Sequence, residues 1–131
     1  MENFLAPYRP QLLSILRIAA GLMLTAHGTA KYLAFPEHAF NKVVMASPSG
    51  YAGLLELILG PLLVIGLFTR PVAFILSGLC AVAYFGWHFP RSFHPLVNGG
   101  ELAALYAFVF IYICAAGPGP WSVDAAARNK S

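Results

Sequence analysis

Apolar residues fall into four long blocks along the chain, separated by short segments that contain polar residues, proline or glycine. At about 1.5 Å of rise per residue, each block is roughly long enough for a helix to cross about 30 Å of hydrocarbon. The pattern predicts an all-α membrane protein, an antiparallel bundle of four transmembrane helices that forms a single domain over residues 1–131. We expect the helices at about 11–33, 51–68, 72–89 and 100–116.

The connections between the blocks constrain the topology. Thr69, Arg70 and Pro71 alone separate the second block from the third, so these helices should form an antiparallel hairpin with Pro71 in the first turn. The segment between the first two blocks is longer, and its pattern fits either a short interfacial helix at 36–45 or an irregular loop. The first block has spanning length and Glu2 precedes any basic residue, so we expect it to be retained rather than cleaved.

Composition supports lipid as the surrounding solvent. The chain has 131 residues, of which 59% are hydrophobic and 10% charged, with a mean hydropathy of +0.70. A soluble monomer of this size needs more polar surface, so the lipid bilayer is the expected partner. The basic residues are scattered, which disfavours nucleic acid. Cys80 and Cys114 are too far apart for a redox motif, and we expect both to be packing residues.

Lysine and arginine near the ends of the predicted spans indicate the orientation. The side that holds both termini is the more basic, and cytoplasmic loops of membrane proteins carry an excess of these residues. We therefore expect a multi-pass protein with both termini in the cytoplasm. The residues on that side are Arg9, Arg70, Arg128 and Lys130, against Lys42 and Arg91 on the other.

Several ionisable residues fall inside the predicted spans, where charge is costly and usually faces the interior of a bundle. They come late in the first and third helices and early in the second and fourth. Since alternate helices run in opposite directions, these positions meet at one end of the bundle, the outer end. The residues are His27, Lys31, Glu56, His88 and Glu101.

Glu56 and His27 are the most informative pair in this set. Each lies about five or six residues from the outer end of its helix, so the two should share one depth. A carboxyl group there must pair with His27 or Lys31 or take up a proton, which makes Glu56 and His27 candidates for catalytic proton exchange. Lys31, His88 and Glu101 could each equally be ordinary interfacial residues.

Other positions have structural explanations. Asn98 could cap the fourth helix, with Glu101 completing a capping arrangement. Arg17 is expected to reach the cytoplasmic headgroups or to pair with Asp124. Arg70 and Trp121 are assigned structural roles as well, Trp121 within an inner aromatic belt.

Small residues in the first helix suggest close packing. Gly21, Thr25 and Gly28 recur at helical spacing, a pattern that suits tight helix contacts within the chain or between copies, and a homodimer is expected on this basis. Gly60 and Pro61 are expected to kink the second helix just below Glu56.

The order of these motifs resembles the DoxX family of small bacterial membrane proteins over about residues 12–124. The chain departs from the common pattern of the last motif at Pro120 and Val123. The resemblance implies a four-helix protein of the bacterial inner membrane, in a family named for a subunit associated with thiosulfate:quinone oxidoreductase. The motifs that carry it are His27-Gly-x-x-Lys31, Glu56, Gly66-Leu-Phe-Thr-Arg70, His88, Asn98-Gly-Gly-Glu101 and Gly117-Pro-Gly-Pro-Trp-Ser-Val-Asp124.

Three functions fit these observations. The first is a quinone-linked oxidoreductase subunit in which His27 or His88 hydrogen-bonds a quinone carbonyl and Glu56 or Glu101 exchanges the proton. Because the sequence has no dinucleotide or iron–sulfur motif, a partner redox subunit or bound cofactor must supply the electrons. Haem or a metal on His27 and His88 is disfavoured. The alternatives are a small transporter or ligand-binding protein, and a scaffold for soluble redox enzymes.

Overall fold

The computed structural model describes residues 4–33, 48–88, 94 and 100–130, and within these ranges the chain forms helices and no strand. The prediction of an all-α protein is confirmed for this part of the chain. The possible interfacial helix at 36–45 lies outside it. The α-helices in these ranges are α1 (Arg9–Leu33), α2 (Pro48–Ile65), α3 (Thr69–Ala83), α4 (Glu101–Ala116) and α5 (Val123–Lys130).

Helices α1 to α4 coincide with the four apolar blocks of the sequence, with their ends displaced by a few residues. A 3₁₀ turn, Ala6–Tyr8, precedes α1, and a π-helical turn, Tyr84–His88, follows α3. Two helical stretches, Ala6–Thr29 and Thr69–Gly86, are long and apolar enough to cross a membrane. α5 was not expected from the hydrophobic pattern, because it is short and polar.

Helix α2 ends earlier than its apolar run does. The N–H groups of Gly66 and Leu67 donate to the carbonyls of Leu63 and Leu62, the paired hydrogen bonds of a Schellman motif. Gly66 has a φ of +74°, a left-handed conformation that suits glycine. The turn therefore lies at 66–68, and the expectation that Thr69, Arg70 and Pro71 form the connection is wrong, since these residues are the first turn of α3.

The chain divides into two compact units, the first formed by Met1–Thr69 with Pro118–Ser131 and the second by Arg70–Gly117. In the first unit α1 packs against α2. Gly21 faces Gly60 and Val64, whereas Gly28 faces Gly53 and Leu57. As the residue number increases along α1, the number of the facing residue on α2 decreases, so the two helices are antiparallel.

In the second unit α3 packs against α4. The Ser77 hydroxyl donates to the carbonyl of Ala107 at 2.7 Å, and Arg70 at the start of α3 reaches the carbonyls of Cys114 and Ala115 at the end of α4. These contacts make α3 and α4 antiparallel too. Leu76, Phe110 and Ile113 have no exposed surface, and Cys80 and Cys114 form no disulfide with each other.

The start of α4 differs from the sequence expectation. The helix begins at Glu101, and its N-cap is Gly100, which has no side chain with which to cap it. Glu101 is thus the first residue of the helix, whereas a capping box requires the acidic residue to be the third. The capping arrangement proposed for Glu101 is therefore wrong, and Asn98 lies outside the described residues.

Candidate functional site

The contact between α1 and α2 depends on glycine. A Cβ atom built on Gly28 would lie 2.9 Å from the backbone nitrogen of Leu57 and 3.0 Å from the carbonyl oxygen of Gly53. A Cβ on Gly21 would lie 2.9 Å from Cγ2 of Val64. The small-residue stripe of α1 is thus used inside the chain, where it brings the backbones of α1 and α2 together. The stripe is therefore not available for contacts between copies, from which we had expected a homodimer.

This contact places Glu56 and His27 at one level of the first unit. Gly53 and Leu57 lie on either side of Glu56 on α2, and both face Gly28, the neighbour of His27. Glu56 is 5% exposed and His27 is half-buried. The helix pair therefore presents a buried carboxyl group and an imidazole at the same depth, as their distances from the helix ends suggested.

The other members of the predicted cluster are less completely placed. Lys31 lies one turn beyond His27 on α1, and His88 ends the π-helical turn, but the side chains of both lie outside the described residues. Glu101 is exposed at the start of α4, in the second unit. That all five residues meet at one end of the molecule stays a prediction, as does a haem or metal on His27 and His88.

Of the two environments expected for Arg17, the headgroups are excluded, whereas the charge of Asp124, the other expected partner, does act on the guanidinium group. The Arg17 side chain has no exposed surface, so it does not extend to the headgroups. Its Nε donates to the carbonyl of Leu63 at 2.9 Å, and its Nη2 donates to those of Trp121 at 2.6 Å and Val64 at 3.3 Å. Nη1 donates to the carbonyl of Pro118. One guanidinium group therefore ties the end of α2 to the segment after α4.

Asp124 makes the second connection at this end of the first unit. Its carboxylate accepts hydrogen bonds from the N–H groups of Phe68 at 3.0 Å and Thr69 at 2.8 Å, and its own N–H donates to the Gly66 carbonyl. Burial by itself raises the pKa of Asp124, but the hydrogen bonds from Thr69 and Phe68 and the charge of Arg128 outweigh it, so the pKa lies below its ordinary value.

Serine residues complete this arrangement. The hydroxyl of Ser14, which has no exposed surface, accepts a hydrogen bond from the N–H of Trp121 at 3.2 Å. Ser122 is the N-cap of α5, and its hydroxyl accepts a hydrogen bond from the N–H of Ala125 at 3.0 Å. Gly119 has a φ of +80° and lies so close to Ser14 that no side chain would fit.

We call this set of residues the clasp. It holds the C-terminal segment against the ends of α1 and α2. Ser14 was missed by the sequence analysis. Gly66, Gly119 and Ser122 lay within the motifs of the resemblance but had no role assigned, although the serine before Val123 and the acidic residue in the following turn are ordinary signals for the start of a helix. The clasp consists of Ser14, Arg17, Gly66, Phe68, Thr69 and the segment 118–124.

Arg70 has a comparable role in the second unit. Its Nη1 donates to the carbonyls of Cys114 at 2.9 Å and Ala115 at 2.7 Å, in the last turn of α4. A cation at the C-terminal end of a helix also interacts favourably with the helix dipole. Gly117, which follows α4 with a φ of +94°, packs against the same guanidinium group, so Arg70 caps α4.

The family model for DoxX matches residues 12–89 of this chain. The chain belongs to the DoxX family. A Haemophilus influenzae protein whose name is "Uncharacterized protein" is 41% identical over 133 residues, which cover 93% of this chain and 95% of that protein. No solved structure matches the chain.

Membership of DoxX, a membrane-associated family, agrees with the two helical stretches of spanning length. The matched residues contain Arg17, His27 and Glu56, and they end at the π-helical turn. The segment 118–124, which supplies half of the clasp, lies outside the match. The hydrogen bonds of the clasp thus join residues inside the matched region to the segment 118–124 outside it.

Proposed function

We propose that this DoxX protein is a multi-pass subunit of a quinone-linked redox system in the bacterial inner membrane, in which Glu56 and His27 exchange protons with a bound quinone. The observation that carries the proposal is the burial of Glu56, 5% exposed, at the level of His27. An ionisable group in this position is costly unless it has a function or a specific partner.

The membrane assignment is supported by where the apolar residues point. In the most apolar 18 residues of the two stretches of spanning length, 33% and 39% of the residues are buried within the chain. Core helices of soluble proteins are mostly buried, whereas these helices direct most of their surface outward. Large exposed apolar side chains such as Phe74, Val82 and Phe108 are 62–73% exposed, as a lipid-facing surface requires. We propose four spanning helices with both termini in the cytoplasm.

The chemistry of quinone reduction fits a carboxyl–imidazole pair. Reduction of a quinone to a quinol takes up two electrons and two protons, and the protons go to the carbonyl oxygens. The carboxyl group of Glu56 can deliver one proton, and a protonated His27, hydrogen-bonded to the other carbonyl oxygen, can deliver the second. Both groups regain their protons from the outer side. The electrons come from a partner redox subunit, so the chain is not catalytic alone.

The test is to measure quinone and redox activity in the purified protein. Glu56→Gln keeps the shape of the side chain and removes its titration, so we expect the bound quinone or the quinone-linked activity to fall by about tenfold or more, equivalent to about 1.4 kcal/mol. Arg9→Gln, an exposed change on α1, is the control and should have no effect.

The double variant Glu56→Leu with His27→Leu decides whether the pair is only architecture. It replaces both polar groups by apolar ones, which can leave stability unchanged or increase it. Wild-type quinone content together with full complementation of a deletion strain would rule out the proposal. Wild-type protein without quinone that instead moves a small solute would favour the transporter alternative.

The topology has its own test. In a variant without Cys80 and Cys114, a cysteine introduced at Ser47 should react with a membrane-impermeant reagent from outside, and one at Ser131 should not. The reverse pattern would overturn the orientation and leave the fold untouched. Native mass spectrometry in mild detergent tests the homodimer, which stays a proposal without the glycine stripe as its interface.

A further inference from the structure

We propose that Gly28 is a positioning residue for Glu56: by carrying no side chain, it lets α1 rest on the backbone of the α2 turn that holds Glu56 and fixes that turn beside His27. The inference rests on the proposed function and deepens it, since it names the residue that sets the geometry of the proton-exchanging pair.

The contacts of Gly28 include two close approaches to backbone atoms of α2. A Cβ on this residue would lie 2.9 Å from the Leu57 nitrogen and 3.0 Å from the Gly53 oxygen. Cβ atoms essentially never lie closer than 3.0 Å to another atom, so the 2.9 Å approach requires a shift, and a backbone atom cannot rotate out of the way as a side chain can. A methyl group at Gly28 must therefore push the α2 turn away from α1.

Glu56 must move with that turn. It lies between Gly53 and Leu57, within the hydrogen-bonded turn that the methyl group would displace. On α1, the titratable groups nearest to this level are His27 and Lys31. The Coulomb energy of two groups about 4 Å apart, at an effective dielectric constant of about 20, changes by the equivalent of about half a pH unit when they separate by about 1 Å. A displacement of this size is thus measurable as a change in titration.

Gly21 provides a matched control on the same helix. A Cβ there would lie 2.9 Å from Val64 Cγ2 and 3.1 Å from the Val64 nitrogen, so Gly21→Ala disturbs the same helix contact to a similar degree. Val64 is two turns from Glu56 along α2. Both alanine variants should lower stability, but Gly28→Ala alone should alter the environment of Glu56.

The experiment is an infrared pH titration of the carboxyl band of Glu56 in the full-length protein, identified by its absence in Glu56→Gln. We expect Gly28→Ala to move the midpoint by at least about half a pH unit and Gly21→Ala to leave it in place. Equal midpoints in the two variants, whether both move or neither does, would overturn the inference. A wild-type band that does not titrate would overturn it together with the proposed proton exchange.

A second pair of variants covers the case in which Gly28→Ala does not fold. Leu57→Ala removes the side chain that packs on Gly28 from the α2 side, and Val64→Ala does the same opposite Gly21. Leu57→Ala should move the midpoint and Val64→Ala should not. Because the readout is the carboxyl band itself, it is independent of quinone. If the midpoint follows Gly28 while Glu56→Gln leaves quinone binding intact, the inference survives and the proposed function fails.

Discussion

Replacing Arg17 by methionine should release the C-terminal segment from the ends of α1 and α2. Methionine has a similar length and no charge, so the change removes the hydrogen bonds while filling most of the space. The four carbonyl groups that Arg17 contacts would lose a charged donor. Three of them, those of Val64, Pro118 and Trp121, take no part in the backbone hydrogen bonds that end α2.

The size of the effect follows from these bonds. Hydrogen bonds to charged groups contribute about 1.5–3 kcal/mol each, which for four bonds gives a gross value of about 6–12 kcal/mol. Burying the guanidinium group costs several kcal/mol, and this cost disappears in the variant. We therefore expect a net loss of about 3–5 kcal/mol, the gross value of the hydrogen bonds less this cost of burial.

The assay is unfolding of the purified protein in detergent, followed by tryptophan fluorescence, with limited proteolysis of the C-terminal segment as a second readout. Arg9→Met is the control because Arg9 is exposed on the same helix. Arg17→Lys should rescue only in part, since an ammonium group lacks the planar fork that reaches several carbonyls. If Arg17→Met costs no more than about 1 kcal/mol, like an ordinary surface change, the clasp does not hold the segment.

Two further predictions concern the clasp. The pKa of Asp124 is lowered in the folded state, so its stabilising effect is fully present above about pH 4 and is lost as the pH falls below that value. Asp124→Asn should therefore be less stable than wild type at neutral pH and show a weaker loss of stability on acidification, which denaturation curves at several pH values would measure. Gly66→Ala should cost at least about 1–2 kcal/mol because Gly66 has a φ of +74° and faces Ser122, and equal unfolding midpoints for variant and wild type would contradict this. Gly78→Ala, in α3 with no atom of the described residues within 4 Å of its Cβ position, should instead be neutral or stabilise by about 0.4–1 kcal/mol.

The sequence by itself determined the helices and the common level of Glu56 and His27. Apolar blocks of sufficient length predict helices because the signal is local, and α1 to α4 lie where the blocks do. The common depth of Glu56 and His27 follows from counting residues from the helix ends, since the rise per residue is constant. Both conclusions need only the spacing of residues along one or two helices.

Only the tertiary structure decided what Arg17 and the glycines contact. The carbonyl partners of Arg17 on Leu63 and Pro118 are 46 and 101 residues away in sequence, and no local pattern indicates which distant backbone groups lack a donor. The small-residue stripe of α1 suited contacts within the chain and contacts between copies equally well. Its spacing specifies one face of α1 but does not specify which surface packs on that face. Which distant groups a side chain contacts depends on how the whole chain packs. The clasp is therefore evident only in the tertiary structure.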